Sequence, residues 1–275
     1  MLDTSTIIIF LLILIILLIV FLFYKKKITG VLVKDERTRD KKRKDEKNPS
    51  NIDIVVAQYA ENIDFLEKAP FSRHNIICYN KGPTTPKCPT CVKIETLPNV
   101  GKCDHTYLYH IIQNYDNLAD ITVFIPGSCL MNYIKKNKTY KTIDYAEKTR
   151  NSVFIGKNYN DIYRDLYGFK LDKHLTASPE NQKLNNDRAL KPCEIRPFGK
   201  WYNSLFGNLR TTLVDYTSIF AVSREHILQH PKSHYEKLIS YIDDHISPEC
   251  GHYIERAWVS IFSPIPAECL YNETM

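Results

Sequence analysis

Three regimes of apolar and polar residues follow one another along the chain. Ile7–Tyr24 is almost wholly Ile, Leu, Val and Phe, eighteen residues without a charge. That is the short end of what spans a bilayer. No basic region precedes it, no small-residue cleavage site follows it, and Lys25, Lys26 and Lys27 come at once. A single uncleaved N-terminal transmembrane helix over 7–24 is therefore expected, behind a short tail, 1–6. Residues 25–50 lose the apolar pattern and read as a charged juxtamembrane stalk. From 51 to 275, short β-branched runs alternate with helical periods, the pattern of one α/β globular domain.

The first run, Ile52–Ala57, predicts a strand; Gln58–Asn62 is its loop and 63–68 starts a helix. Asn75–Tyr79 predicts a second strand, followed by Asn80-Lys81-Gly82. Two strands joined by one short helix point to parallel pairing. Thr84–Thr96, with prolines before and within it, reads as an irregular excursion. The stretch Leu97–Gly127 organises the rest. Asn99 and Gly101 allow a sharp turn. Leu108, Ile111, Ile112 and Tyr115 share one helix face, and Ile121–Ile125 is a buried strand ended by Pro126-Gly127. Beyond it, 144–150 predicts a short helix, 152–156 a weak strand and 158–197 a long loop region. Asp215–Val222 leads into a last buried strand, and Arg224–His230, the segment after Pro231 and Gly251–Phe262 predict helices. The expected fold is α/β: a mixed, mostly parallel sheet flanked by helices.

A buried strand that stops in a Pro-Gly loop presents its carboxyl end to a crevice, where open α/β sheets bind ligands. Asn99, Gly101, Asp104 and His105 on one side, and Gly127 and Ser128 on the other, are candidates for one rim. Gln58, Tyr59, Asn80 and Lys81 follow the first two strands, where a base, ribose or phosphate would be contacted. No Gly-rich fingerprint or P-loop accompanies them. Each has a plainer use: Asp104 as a helix cap, His105 on an outer face, Lys81 in a solvent-facing turn. Trp201, beside Lys200 and Tyr202, offers a stacking face for a sugar or base, though interior packing is the commoner fate of a Trp.

Leu97–Gly127 resembles the signature of the family known as domain of unknown function 3431: an Asn-Val-Gly turn, a His-Thr-Tyr-Leu helix, a Tyr-Asp-Asn-Leu-Ala-Asp turn and a Thr-Val-Phe strand ending in Gly. Pro126 stands where that family usually has Gln. Val55–Leu66, Ile219–Arg224 and Gly251–Trp258 are similar to the family's other segments, so that the resemblance covers most of 52–262. The family has no settled activity. Its layout is similar to GT-A glycosyltransferases, which by fold-level analogy implies an enzyme using a nucleotide sugar; the alternative is a non-catalytic, membrane-tethered binding or scaffold domain.

Sugar transfer with inversion needs a carboxylate as general base. Glu255, set among Tyr253, Ile254 and Trp258, is the first candidate, against a structural pairing with an arginine such as Arg224. Asp104 is the second, with Asp116 and Asp120 on the expected crevice side. Metal-dependent GT-A enzymes carry Asp-x-Asp after a hydrophobic strand to hold a divalent cation. Here that place reads Ile125-Pro-Gly-Ser128, so the cofactor is left unknown, a divalent cation is doubtful, and no metal ligands are assigned.

Charge changes the picture of partners. Residues 25–47 hold 11 basic and 5 acidic side chains, and the rest of the chain balances at 26 each. The net +6 therefore belongs to the stalk, which argues against a nucleic-acid-binding domain. The expected partners are a lipid bilayer through 7–24, anionic lipid through 25–47, and a nucleotide sugar. The positive-inside rule puts the domain in the cytosol. The opposite, lumenal type II arrangement is the one in which the sequons at Asn137 and Asn272 would be usable. Eight cysteines show no disulfide framework by spacing; Cys88 and Cys91 could be half a zinc knuckle, a redox pair or a loop staple, with a plain loop favoured. The abundance of Asn, Lys, Ile and Tyr suits an AT-rich genome such as that of a large virus.

Overall fold

The computed structural model describes residues 51–159, 165–171 and 190–273. The expected transmembrane helix and stalk lie outside these. Among the described residues no helix is long and apolar enough to cross a membrane.

Eight strands form the sheet: β1 (Ile52–Gln58), β2 (Asn75–Asn80), β3 (Cys91–Thr96), β4 (Ile121–Pro126), β5 (Val153–Asn158), β6 (Leu213–Val214), β7 (Phe220–Ser223) and β8 (Leu270–Asn272). Their order is β3-β2-β1-β4-β7-β5-β6, with β8 also paired to β5. β1 pairs in parallel with both β2 and β4, and β2 with β3. β7 runs antiparallel to β4 and β5. The mixed sheet thus has a parallel half and an antiparallel margin. The order reverses between β1 and β4, which makes their carboxyl ends a topological switch point.

Strand alternation divides the interior between two faces. Val55, Ala57, Phe124 and Phe220 point to one core, with α1 (Lys102–Gln113), α3 (Phe198–Phe206), α5 (Lys232–Ile239) and α6 (Glu249–Ile261). Ile52, Ile54, Val56, Val123 and Ile125 point to the other, with α2 (Tyr133–Thr149) and the 3-10 turns at Asp64–Glu67 and Phe71–Arg73. A period of two in runs this apolar requires cover on both faces. The short helix α4 (Arg224–Leu228) follows β7, with the Ser223 hydroxyl accepting from His226 N–H at its start.

Two expectations about elements are corrected. The helix expected at 144–150 begins at Tyr133 and runs seventeen residues, capped by Asn132. Its buried stripe is Lys138, Thr139, Thr142, Ile143 and Ala146; the inward face is mostly polar, which hides it from an apolar-period search. The buried Lys138 ammonium meets Asp215 Oδ1 at 2.5 Å. The excursion 84–96 ends in β3, an edge strand with Val92 exposed. Cys88 is joined to Cys91, and Cys193 to Cys250.

Candidate functional site

A pocket of about 180 Å³ opens at the carboxyl ends of β1 and β4. β1 and its loop contribute Gln58, Tyr59 and Glu61; β4 and its loop contribute Pro126 and Ser128. Asn99, Lys102 and Cys103 come from the entry to α1, and Lys135 from the first turn of α2. Tyr216 and Thr217 precede β7, and Glu255 projects from α6.

Local chemistry fixes each contributor. Gly101 and Lys102 have φ of 59° and 52°, and a Cβ on Gly101 would lie 2.4 Å from the Ile242 carbonyl oxygen. Only glycine meets both demands at that turn. Lys81 donates from its backbone to the Gln58 carbonyl at 2.8 Å. Its ammonium donates to the Val100 and Lys102 carbonyls at 2.5 Å each, which ties the β2 loop to the turn entering α1. Glu61 Oε2 accepts from the amides of Tyr59 (2.7 Å) and Ala60 (3.2 Å). A Cβ on Gly127 would come within 2.8 Å of that same oxygen, so glycine there lets Glu61 fold against the β4 loop. Asp215 builds the turn before β7: Oδ1 accepts from Thr217 N–H and O–H, and Oδ2 from Ile219 N–H.

The electrostatics are uneven. Burial raises the Glu255 carboxyl well above its usual range; the charge of Asp104 adds to this and Arg256, 3.5 Å away, opposes it. About a fifth of the Glu255 side chain (22%) stays accessible. Burial lowers the Lys81 ammonium to about 7, against the pull of Cys103 and Asp104. Gln58 is almost fully buried; its Nε2 donates to the Glu61 carbonyl at 3.3 Å, while Oε1 has no hydrogen-bond partner among the described residues. A buried amide oxygen left unpaired costs roughly 1–3 kcal/mol unless a ligand or water donates to it.

Gln58, Tyr59, Lys81, Asn99 and Glu255 therefore meet in the pocket, and Gly101 and Gly127 shape its border. The other candidates fall elsewhere. Asp104 does not line the pocket: its Oδ1 accepts from the Trp258 indole N–H (2.9 Å) and the Ser218 hydroxyl (3.2 Å), a buried cross-brace. His105 is buried and stacks on Tyr109 at 6.3 Å; burial and the nearby Lys81 lower it to about 3, leaving a neutral ring. Asn80 bonds back to Gly82 through both amide atoms and holds its own turn. Trp201 is fully buried against Phe198 and Tyr253 and has no face to offer a ligand. Asp116 and Asp120 lie at the amino end of β4, with Asp120 paired to Arg224 at 2.7 Å; the expected crevice side was the wrong end of the strand, and Arg224 is not the partner of Glu255.

Glu61, Lys102, Cys103, Lys135, Tyr216 and Thr217 were not foreseen. Asp215-Tyr-Thr-Ser carried a legible signal, since Asp followed by hydroxyl residues favours a side-chain-closed turn. Lys135 carried none, since it lies in the part of α2 that precedes the expected helix at 144–150; its ammonium reaches Ser128 Oγ at 3.3 Å. Among the described residues no three His, Cys, Asp or Glu side chains converge to hold a metal ion. What does converge is a set of three lysines, Lys81, Lys102 and Lys135, around one raised carboxyl group and an unpaired amide oxygen. Such a set suits a small polar ligand that carries both an anionic group and hydroxyls.

No curated protein matches the chain. The family model described as protein of unknown function (DUF3431) matches residues 54–274, which take in all of the sheet apart from the first two residues of β1. The chain belongs to that family.

Proposed function

We propose that the domain is a membrane-anchored, glycosyltransferase-like enzyme acting on a nucleotide sugar. The observation that carries this reading is the meeting of Glu255, the unpaired Gln58 amide oxygen and three lysines in one pocket at the β1–β4 switch point. The GT-A-like layout is a fold-level analogy that fits it. The anchor would be the apolar run at 7–24.

In this reading the deprotonated Glu255 takes the proton of an acceptor hydroxyl as its oxygen attacks the anomeric carbon. The bond from that carbon to the diphosphate breaks, and the diphosphate leaves with the electron pair. Lys102 and Lys135 offset the charge that builds on the leaving group, and Lys81 holds the turn that carries Lys102. A divalent cation does not fit the donor set: the loop after β4 offers Ser128 in place of acidic ligands, and Glu61 is engaged by two backbone amides. Gln58 Oε1 accepts from a donor hydroxyl or base amine.

Thermal shift of the purified protein against a panel of nucleoside diphosphates and their sugars tests the reading. One nucleoside diphosphate is expected to raise Tm, and Gln58→Ala to abolish that rise while leaving the unliganded Tm within a few degrees. A flat panel on a folded protein sinks the enzyme and favours the scaffold.

A further inference from the structure

A second cavity, of about 550 Å³, lies between α2 and the β5–β8 margin of the sheet, and shares no residue with the first. Tyr133, Tyr145 and Tyr271 line it, with the rings of Tyr145 and Tyr271 4.7 Å apart. Asn137, exposed on α2, stands on the same groove. Asn137-Lys-Thr139 is an N-glycosylation sequon. Thr139 is fully buried in the finished helix. That is no obstacle, because the acceptor motif is read on the extended chain before α2 forms.

Sulfur chemistry gives an independent indication. Cys193 and Cys250, fifty-seven residues apart, are joined in the interior with Cα atoms 5.2 Å apart, and Cys88 is joined to Cys91 at 5.3 Å. The remaining four cysteines are unpaired. A buried bridge between distant segments forms and persists in oxidising compartments, whereas the cytosol keeps thiols reduced.

We propose that the globular domain faces an oxidising, glycosylating lumen and carries an N-linked glycan at Asn137, whose first sugars lie along the tyrosine-lined groove. This is the reverse of the orientation that the lysine-rich stalk favours. In the modification, Asn137 Nδ2 bonds to C1 of a lipid-linked oligosaccharide, the lipid diphosphate leaves with the bonding electrons, and Nδ2 gives up one proton. Each bridge forms as two thiols pass two electrons and two protons to a protein disulfide donor, which is reduced to a dithiol. Aromatic faces beside the acceptor suit the C–H faces of sugars.

The full chain expressed in eukaryotic cells decides the matter. The expected result is a mobility increase on glycosidase treatment that becomes smaller in Asn137→Gln, an exposed substitution outside the first pocket, and any shift left in that variant is lost when Asn272→Gln, the second sequon, is added. Alkylation of the denatured, unreduced protein should then label four of the eight cysteines. An unchanged mobility, a shift of undiminished size in Asn137→Gln, or eight labelled cysteines would overturn the proposal.

Discussion

At the scale of single residues, Glu255 combines two properties that pull against each other. Its carboxyl group holds its proton more tightly in the folded chain than the usual 4.5. Between that value and the raised one, the unfolded state releases the proton first, so stability falls as pH rises through the interval. Below about pH 4.5 both states are protonated and the effect vanishes. Glu255→Gln should therefore match the parent Tm in acid and exceed it at mildly alkaline pH, as a pH series of thermal melts will read. The same variant should lose roughly 10²–10⁴-fold in transfer rate, and the parent rate should climb with pH as the base ionises. A second residue carries a steric demand: a Cβ on Gly82 would sit 1.6 Å from the Tyr59 carbonyl oxygen. Gly82→Ala must push apart the loops after β1 and β2, at a cost of about 1–3 kcal/mol, measurable by denaturant titration.

At the scale of elements, apolar period found those whose inner faces are apolar. β1, β2, β4, β7 and α1 were legible for that reason. Only the last turns of α2 were, because Lys138 takes an inward position that a search for apolar stripes reads as outward, and its partner Asp215 lies seventy-seven residues away. β3 and β8 are half-exposed margins whose pairing depends on neighbours no local window contains. The site followed the same division. Residues ending recognisable strands were found, while Lys135 and Tyr216 depended on the α2–Asp215 pairing and were not. Asp215→Ala tests that dependence. It strands a buried ammonium and removes three hydrogen bonds from the turn bearing Tyr216 and Thr217, so a loss of roughly 3–5 kcal/mol is expected, together with weakened ligand binding in the first pocket. Lys138→Met, which leaves the backbone donors to Asp215 in place, should retain more binding than Asp215→Ala at matched stability.

At the scale of the whole molecule, the Cys193–Cys250 bridge fastens the segment after 190 to the start of α6, where Glu249 also accepts from the amides of Leu171 and Cys193 and pairs with Arg196 at 2.8 Å. Cys193→Ala with Cys250→Ala should lower stability by roughly 2–5 kcal/mol. The change should also be felt at Glu255 on the same helix, read as a drop in ligand-induced Tm shift larger than Cys88→Ala with Cys91→Ala produces. The reversal of strand order beside β1 has a separate consequence. It places half of the pocket's lining, Tyr59, Lys81, Asn99 and Ser128 among it, on connecting segments, while the packed layers keep their own composition. Relatives built on this frame can therefore exchange their chemistry by rewriting a handful of loop positions and still fold alike, so that a shared architecture across the family is no guide to a shared substrate.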